Sequence, residues 1–406
     1  VAADPPGIRR ILLDVTLGDA ATAEAAAAAA LRTGVADDVV RLAWAWRVVP
    51  RLHERVLAGA SLGAAADAQL ARMAIAAAAQ STLYFHRAAD VVGRLDRAGV
   101  PVAAFKGVAA IAALYGTPSA RMLRDVDIVI DPAAVTDALR VLGDAGFALT
   151  DDIDRRGGAD EWIEMLHAPS LDLRNLYVSL RTDEGFEADV HLQIGPAPPP
   201  RMLPGALLGR RVRVRAAGSE IPVLAPVDLM LLNVYHSLKD LLALTSAARD
   251  LNDLAAWWAR GRDQWSVEEF VAAARESRLD APLLAFWRVL ARADASGPVG
   301  DGVVVLDRDV SHASRRDADR IVQLFYRLVD TGRLSSGILT TLSPGRARRY
   351  REQRRHQADA HREGVETPRR TVRGFAAGLG RVAREAADVH RLAAYRALVR
   401  AQRRYR

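Results

Sequence analysis

AGVPVAAFKGVAAIAALYGTPSARMLRDVDIVI, residues 98–130, is the stretch on which the reading of this chain turns. After the Ala98-Gly99 turn, Val100 to Phe105 form a short apolar run of the kind that makes a buried strand. Lys106-Gly107 then opens a helix from Val108 to Leu114, which Tyr115-Gly116 closes. Arg121 to Arg124 lead into a second apolar strand, Val126 to Ile130, bearing Asp125 and Asp127. Alternate residues of a strand share one side of the sheet, so an Asp-x-Asp there puts two carboxylates on the same face.

Working upstream, residues from Ile8 to about Arg97 read as helix, because apolar side chains recur at intervals of three and four. The clearest segments are Ala21 to Thr33, Val40 to Leu57, kinked or divided by Pro50, and Ala64 to Leu95. Leu83, Ala88, Val91, Val92 and Leu95 give the last of these a core-directed face. Downstream, Pro132 starts a helix that reaches about Ala145, and the polar residues 150–170 look like an insertion. Leu171 to Arg181 and Glu187 to Ile194 read as strands joined by the turn Thr182 to Gly185. Pro196 to Pro204 is a connection, and Val212 to Arg215 with Ile221 to Leu224 make a hairpin around Gly218. Helices return at Val227 to Leu244, Ala247 to Ala259, Val267 to Glu276, Pro282 to Asp294 and Ala313 to Val329.

The expected fold is therefore α+β, with a small mixed sheet flanked by helical regions on both sides. Its divisions are an N-terminal helical region, 1–97, a sheet-bearing core, 98–225, a helical domain, 226–335, and an arginine-rich helical C-terminal region, 336–406. A chain of 406 residues is ample for a large buried core.

Composition removes several chemistries. With no cysteine there is no disulfide, thiolate nucleophile or cysteine-ligated metal. The first residues lack a basic segment followed by a leucine-rich run, and Ala25 to Leu31 is too short to span a bilayer, so a soluble cytoplasmic protein without a membrane span is expected. The net charge of +7 favours polyanionic partners. Lysine occurs only at Lys106 and Lys239, a bias matching a GC-rich coding sequence in which arginine has replaced it elsewhere. The two survivors mark places where a compact ammonium, rather than a planar guanidinium, is wanted.

Two carboxylates held side by side repel unless a cation lies between them, and hard oxygen donors suit magnesium. In the strand Glu187 to Ile194, Asp189 shares a face with Glu187 and His191 and could supply a third carboxylate from a neighbouring strand. Three such groups form the arrangement used for two-metal phosphoryl or nucleotidyl transfer. The helix start at Lys106-Gly107 offers unpaired N–H groups and a point charge to phosphate oxygens.

The ordered set, an apolar strand ending in Lys106-Gly107, Tyr115, Arg121-Met122-Leu123-Arg124-Asp125-Val126-Asp127, Asp189-Val190-His191, His236 with Lys239, and Arg249, Asp250 and Asp253, resembles the bacterial uncharacterised nucleotidyltransferase family of the polymerase-beta-like superfamily. The likeness covers roughly residues 40 to 260. Leu192 stands where that family often has Trp, and Arg124 where it usually has a small residue. The resemblance implies a nucleotidyltransferase-type core that moves a nucleoside monophosphate from an NTP donor, ATP among the candidates, to an acceptor, with two magnesium ions. Asp125 and Asp127 would bridge the metals, while Asp189 would bind the catalytic one and assist deprotonation of the acceptor. Lys106 and Gly107 would contact phosphates, and Arg121 would either pair with a phosphate or brace the acidic loop. His236 and Lys239, three apart on one helix, could reach the nucleotide or simply face solvent. Asp250 and Asp253 would brace Lys239 or Arg249, and His191 would make a structural hydrogen bond. Relatives of this kind point to a small-molecule or peptide acceptor.

Two rival readings use the same residues. A non-catalytic nucleic-acid or ribosome-associated binding protein would draw on the C-terminal arginines, from Arg346 to Arg406. A phosphotransferase would move the terminal phosphate instead of the nucleotidyl group.

Overall fold

A computed structural model describes residues 7–149, 177–194, 198–240, 247–260, 266–293, 303, 307, 308 and 310–331. The expected insertion, the first half of the strand begun at Leu171 and the whole C-terminal region from 336 onward lie outside these.

The N-terminal helices are α1 (Ile8–Leu17), α2 (Ala20–Thr33), α3 (Ala36–Ala45), α4 (Val49–Leu57) and α5 (Ala64–Arg97). The segment expected from Val40 to Leu57 is thus two helices, broken at residues 46–48 rather than at Pro50. Pro50 sits in the first turn of α4, where its missing N–H is harmless. In α5 the buried stripe contains Phe85, Ala88, Val91, Val92 and Leu95, whereas Leu83 is 53% exposed. Leu83 precedes Ala88 by five residues, a step that carries it off the stripe, and the apolar anchor at that level is Phe85.

The sheet has seven strands in the order β3-β4-β5-β2-β1-β7-β6. They are β1 (Val102–Phe105), β2 (Val126–Ile130), β3 (Ala148–Leu149), β4 (Tyr177–Arg181), β5 (Glu187–His191), β6 (Val212–Ala216) and β7 (Ser219–Val223). β2 runs antiparallel to β1 and parallel to β5, and β1 runs parallel to β7. β1 and β2 are buried at every position, which explains why they read as continuous apolar runs without alternation. β5 alternates, with Ala188 and Val190 buried and Glu187, Asp189 and His191 partly exposed, as its sequence requires. It ends at His191, three residues before the expected limit.

Between β1 and β2 lies α6 (Lys106–Ala110), continued by a π-helical turn over Ile111–Tyr115. α7 (Val135–Asp144) follows β2 and packs with α5. The connection at Pro204 contains a short helix, α8 (Pro204–Gly209). The later helices are α9 (Pro226–Asp240), α10 (Ala247–Arg260), α11 (Val267–Glu276), α12 (Asp280–Ala293) and α13 (His312–Thr331). Their core is aromatic, with Trp258 and Trp287 at 4.1 Å between ring centroids and Phe270 at 5.6 Å from Trp287. Helices distant in sequence meet here, since α1 packs against α10, α12 and α13. Among the described residues no helix is long and apolar enough to cross a membrane.

Candidate functional site

Strand pairing brings the acidic residues together. Asp127 of β2 has Asp189 of β5 as its parallel partner and Phe105 of β1 as its antiparallel one, so the carboxylates sit side by side at the middle of the sheet. Asp127 is nearly sealed from solvent, its side chain 4% exposed. Two donors face it. Lys106 makes an ion pair with Asp127 Oδ1, and His191 Nε2 lies 3.0 Å from the same oxygen. Asp189 accepts a hydrogen bond of 2.5 Å from Ser179 Oγ, its cross-strand partner in β4.

The two carboxyls titrate in opposite directions. Burial alone would raise the Asp127 carboxyl, but the Lys106 charge and the His191 hydrogen bond outweigh it and hold this group far below the usual carboxylate range. Asp189 is pushed up to about 6, first by burial, with the Asp127 and Asp125 charges adding to it against the Ser179 hydrogen bond. One acid is thus satisfied by the Lys106 ammonium and the His191 imidazole, and its neighbour is left short of positive charge.

That imbalance bears on whether a cation fits. Ligand atoms of Asp127, Asp189 and His191 all lie within 4.8 Å of one another. Two carboxylates and an imidazole around one point suit a divalent ion, and the raised Asp189 carboxyl shows which group would gain from one. Asp125 is outside this group. β2 begins at Val126, so Asp125 precedes the strand instead of lying on it, and its carboxylate accepts no hydrogen bond among the described residues. Its charge nevertheless acts on Lys106 and Asp189.

Lys106 has a backbone φ of 52°, in the left-handed region that costs a side-chain-bearing residue about 1–2 kcal/mol. The conformation turns the chain from β1 into α6 within one residue. Gly107 follows, and a Cβ there would lie 2.4 Å from both Arg121 Nη1 and Leu123 Cδ2. Arg121 cannot retreat, because its side chain is 5% exposed and its Nε donates to Asp253 Oδ2 at 2.8 Å. Gly107→Ala is accordingly expected to destabilise the protein by about 1–3 kcal/mol through overpacking, read as a lower urea midpoint with an unchanged slope. An unchanged midpoint would mean that Arg121 is not wedged against this helix.

Asp253 also accepts a 2.8 Å hydrogen bond from the Tyr115 hydroxyl. Arg121 is therefore a brace across the acidic loop. The sequence reading had offered Lys239 or Arg249 as partners of Asp253; its direct partners are Arg121 and Tyr115. Asp250 does pair with Arg249, whose Nε donates to Oδ1 at 2.9 Å. His236 is 8% exposed, with its ring nearly parallel to that of Phe105 at 6.4 Å, so it does not belong to a solvated helix face. Phe105 also meets His191 edge-on at 4.8 Å and backs both imidazoles. The backbone of Lys239 lies in α9, and its side chain lies outside the described residues.

A cavity of about 590 Å³ opens behind Tyr115, with Arg51, Arg55 and Asn252 among its walls. None of the three aspartates lines it, and the charged chemistry sits at the strands instead.

A family model described as "Uncharacterised nucleotidyltransferase" matches residues 35–293. No curated protein matches. Among solved structures, the crystal structure of an antigenic nucleotidyltransferase-like protein from Paracoccidioides brasiliensis is similar at 16% identity. The similarity has a TM-score of 0.30 and covers 53% of this chain and 94% of that one.

Proposed function

Because this chain belongs to the uncharacterised nucleotidyltransferase family, we propose that it transfers a nucleoside monophosphate from an NTP to a small-molecule or peptide acceptor, in a magnesium-dependent reaction. The observation that carries this reading is the register of Asp127 against Asp189 on adjacent parallel strands, with His191 beside them. Asp127 and Asp189 would hold the ion, with Asp125 joining from the end of β2. When bound, magnesium supplies charge neutralisation for the triphosphate and its departing pyrophosphate, and lowers the pKa of an acceptor hydroxyl.

The chain's own groups do the remainder. Lys106 shares its charge between Asp127 and the phosphates, and Gly107, where the chain enters α6, would offer them its backbone while Arg121 and Leu123 pack against the face that carries no side chain. Asp189, with its carboxyl near 6 in the metal-free protein, is the group suited to take a proton from the acceptor at neutral pH. His191 keeps Asp127 ionised and oriented. Arg121 acts through Asp253 and Tyr115 to hold the loop before β2 in place.

The test is thermal stabilisation of the protein by each of the four ribonucleoside triphosphates, with and without magnesium. A ligand that binds the native state at 100 times its Kd adds about 2.7 kcal/mol to stability. The expected result is a magnesium-dependent shift with at least one triphosphate, followed by transfer of label from the alpha phosphate to an acceptor. Absence of any shift from folded protein would defeat this reading, and label moving only from the gamma phosphate would make the protein a phosphotransferase.

A further inference from the structure

The cavity behind Tyr115 lies between α1, α4, α5 and α10 and leads from the surface into the helical core. Ile75 of α5, 72% exposed, stands at its outer end, and Trp258 and Leu290, at 1% and 2%, close its inner one. Its volume of about 590 Å³ falls within the roughly 300–1,000 Å³ of small-molecule pockets. The space exists because the facing helices bring alanines to it, Ala74 and Ala78 from α5 and Ala255 and Ala256 from α10. Larger apolar side chains at these places would close it to the packing density of an ordinary core.

One side of the cavity is therefore apolar. The other is charged, with two guanidiniums, Arg51 and Arg55, and one carboxylate, Glu54, among the described residues. Both arginines are set in place by the C-terminal end of α1. Arg51 Nε donates to the Thr16 carbonyl at 3.1 Å, and Arg55 Nη2 donates to the Gly18 carbonyl. A backbone carbonyl orients a guanidinium without cancelling its charge. Glu54 accepts a 2.7 Å hydrogen bond from Arg51 Nη1, and Arg51 Nη2 has no partner among the described residues. The walls thus hold more positive than negative charge, and an arginine fork fixed in this way suits a carboxylate or a phosphate. Tyr115 lines the cavity and its hydroxyl donates to Asp253, which also holds Arg121, so the cavity adjoins the brace of the acidic loop without containing its acids.

We infer that this cavity is a second binding site, for a small organic anion whose apolar body lies along the alanines of α5 and α10 while its carboxylate or phosphate meets Arg51 and Arg55. The inference goes beyond nucleotidyl transfer and does not depend on it, since no donor, metal or acidic strand residue takes part.

The probe is anilinonaphthalene sulfonate, a compact aromatic anion whose fluorescence rises in apolar surroundings, and its comparison is the uncharged parent, N-phenylnaphthylamine. Fluorescence titration of the full chain, without nucleotide or magnesium, is expected to show a single saturable site for the sulfonate. Arg51→Met is expected to weaken it about 10-fold, and the parent to bind wild type weaker by about the same factor, as for loss of one charge-assisted hydrogen bond. Ala255→Phe fills the apolar side and is expected to remove binding. Arg94→Met, an exposed arginine of α5 outside the cavity walls, is expected to bind as wild type does. Melting curves accompany each variant, and Ala78→Phe, from the opposite wall, replaces Ala255→Phe if the latter does not fold. No binding, more than one equivalent bound, equal affinity for the uncharged parent, or wild-type affinity in a folded Arg51→Met or alanine variant overturns the inference. With nucleotide absent, each of these outcomes stands whether or not the protein transfers a nucleotidyl group.

Discussion

Asp127→Asn is expected to lower nucleotidyl transfer by about 10³-fold or more, because it removes a charged ligand from the centre of the cation site while keeping its shape. The same change leaves Lys106 paired with a neutral amide in a buried setting, and loss of one partner of such a pair costs about 3–5 kcal/mol. Activity could then fall merely because the protein unfolds. Combining Asp127→Asn with Lys106→Met separates the two effects. With both charges gone the stability penalty should largely vanish, since replacing both partners is nearly neutral, yet transfer should stay lost. Denaturant unfolding and label transfer on the single and double variants provide the check. Recovery of transfer in the double variant would remove Asp127 from the reaction and leave it a structural acid.

Asp189→Asn is expected to act in the opposite sense on stability. The folded carboxyl titrates near 6, whereas an unfolded aspartate titrates near ~3.9. Between those values the folded state holds a proton that the unfolded state has lost, so stability falls as pH rises through the window. Below it the two states are equally protonated, and above it the whole penalty is present. A neutral asparagine never incurs that penalty, and its side-chain oxygen can still accept from Ser179. The metal-free variant should therefore match the wild type near pH 4 and exceed it at pH 8. The gain should be about 1–2 kcal/mol, the span of the shift reduced for a group that keeps some solvent contact. Any stabilisation by magnesium should be abolished in the variant, together with transfer. Urea unfolding in chelator at both pH values is the measurement. Equal destabilisation at both would show that the Asp189 carboxyl is not raised in the folded protein.

Much of this site was legible in the sequence because its parts are local. The strand–Lys106-Gly107–helix unit and the strand after Asp125 fall within residues 98–130, and continuous burial left a plain apolar signature in both strands. The family resemblance drawn from the same motifs agrees with the family match. Where the sequence reading erred, the cause was usually distance along the chain. Arg121 meets Asp253 from 132 residues away, and no periodicity announces such a contact. Ser179 was missed although the turn at Thr182 to Gly185 sets the hairpin register that puts it opposite Asp189. Asp125 was placed on a strand that begins one residue later, a boundary that hydrogen bonding decides and side-chain pattern does not.

The parallel pairing of β2 with β5 has one further consequence. These strands are separated by the rest of a long crossover, and closing such a loop is among the slower steps available to a folding chain. Asp127 and Asp189 become neighbours only after that step, so a cation held by both has nothing to grip in the earlier, less ordered chain. Its binding energy belongs to the finished native state and is withheld from the barrier that leads there. The loaded protein would consequently form no faster than the empty one, and would come apart more slowly. Its persistence, more than its speed of assembly, would then depend on the supply of divalent ion.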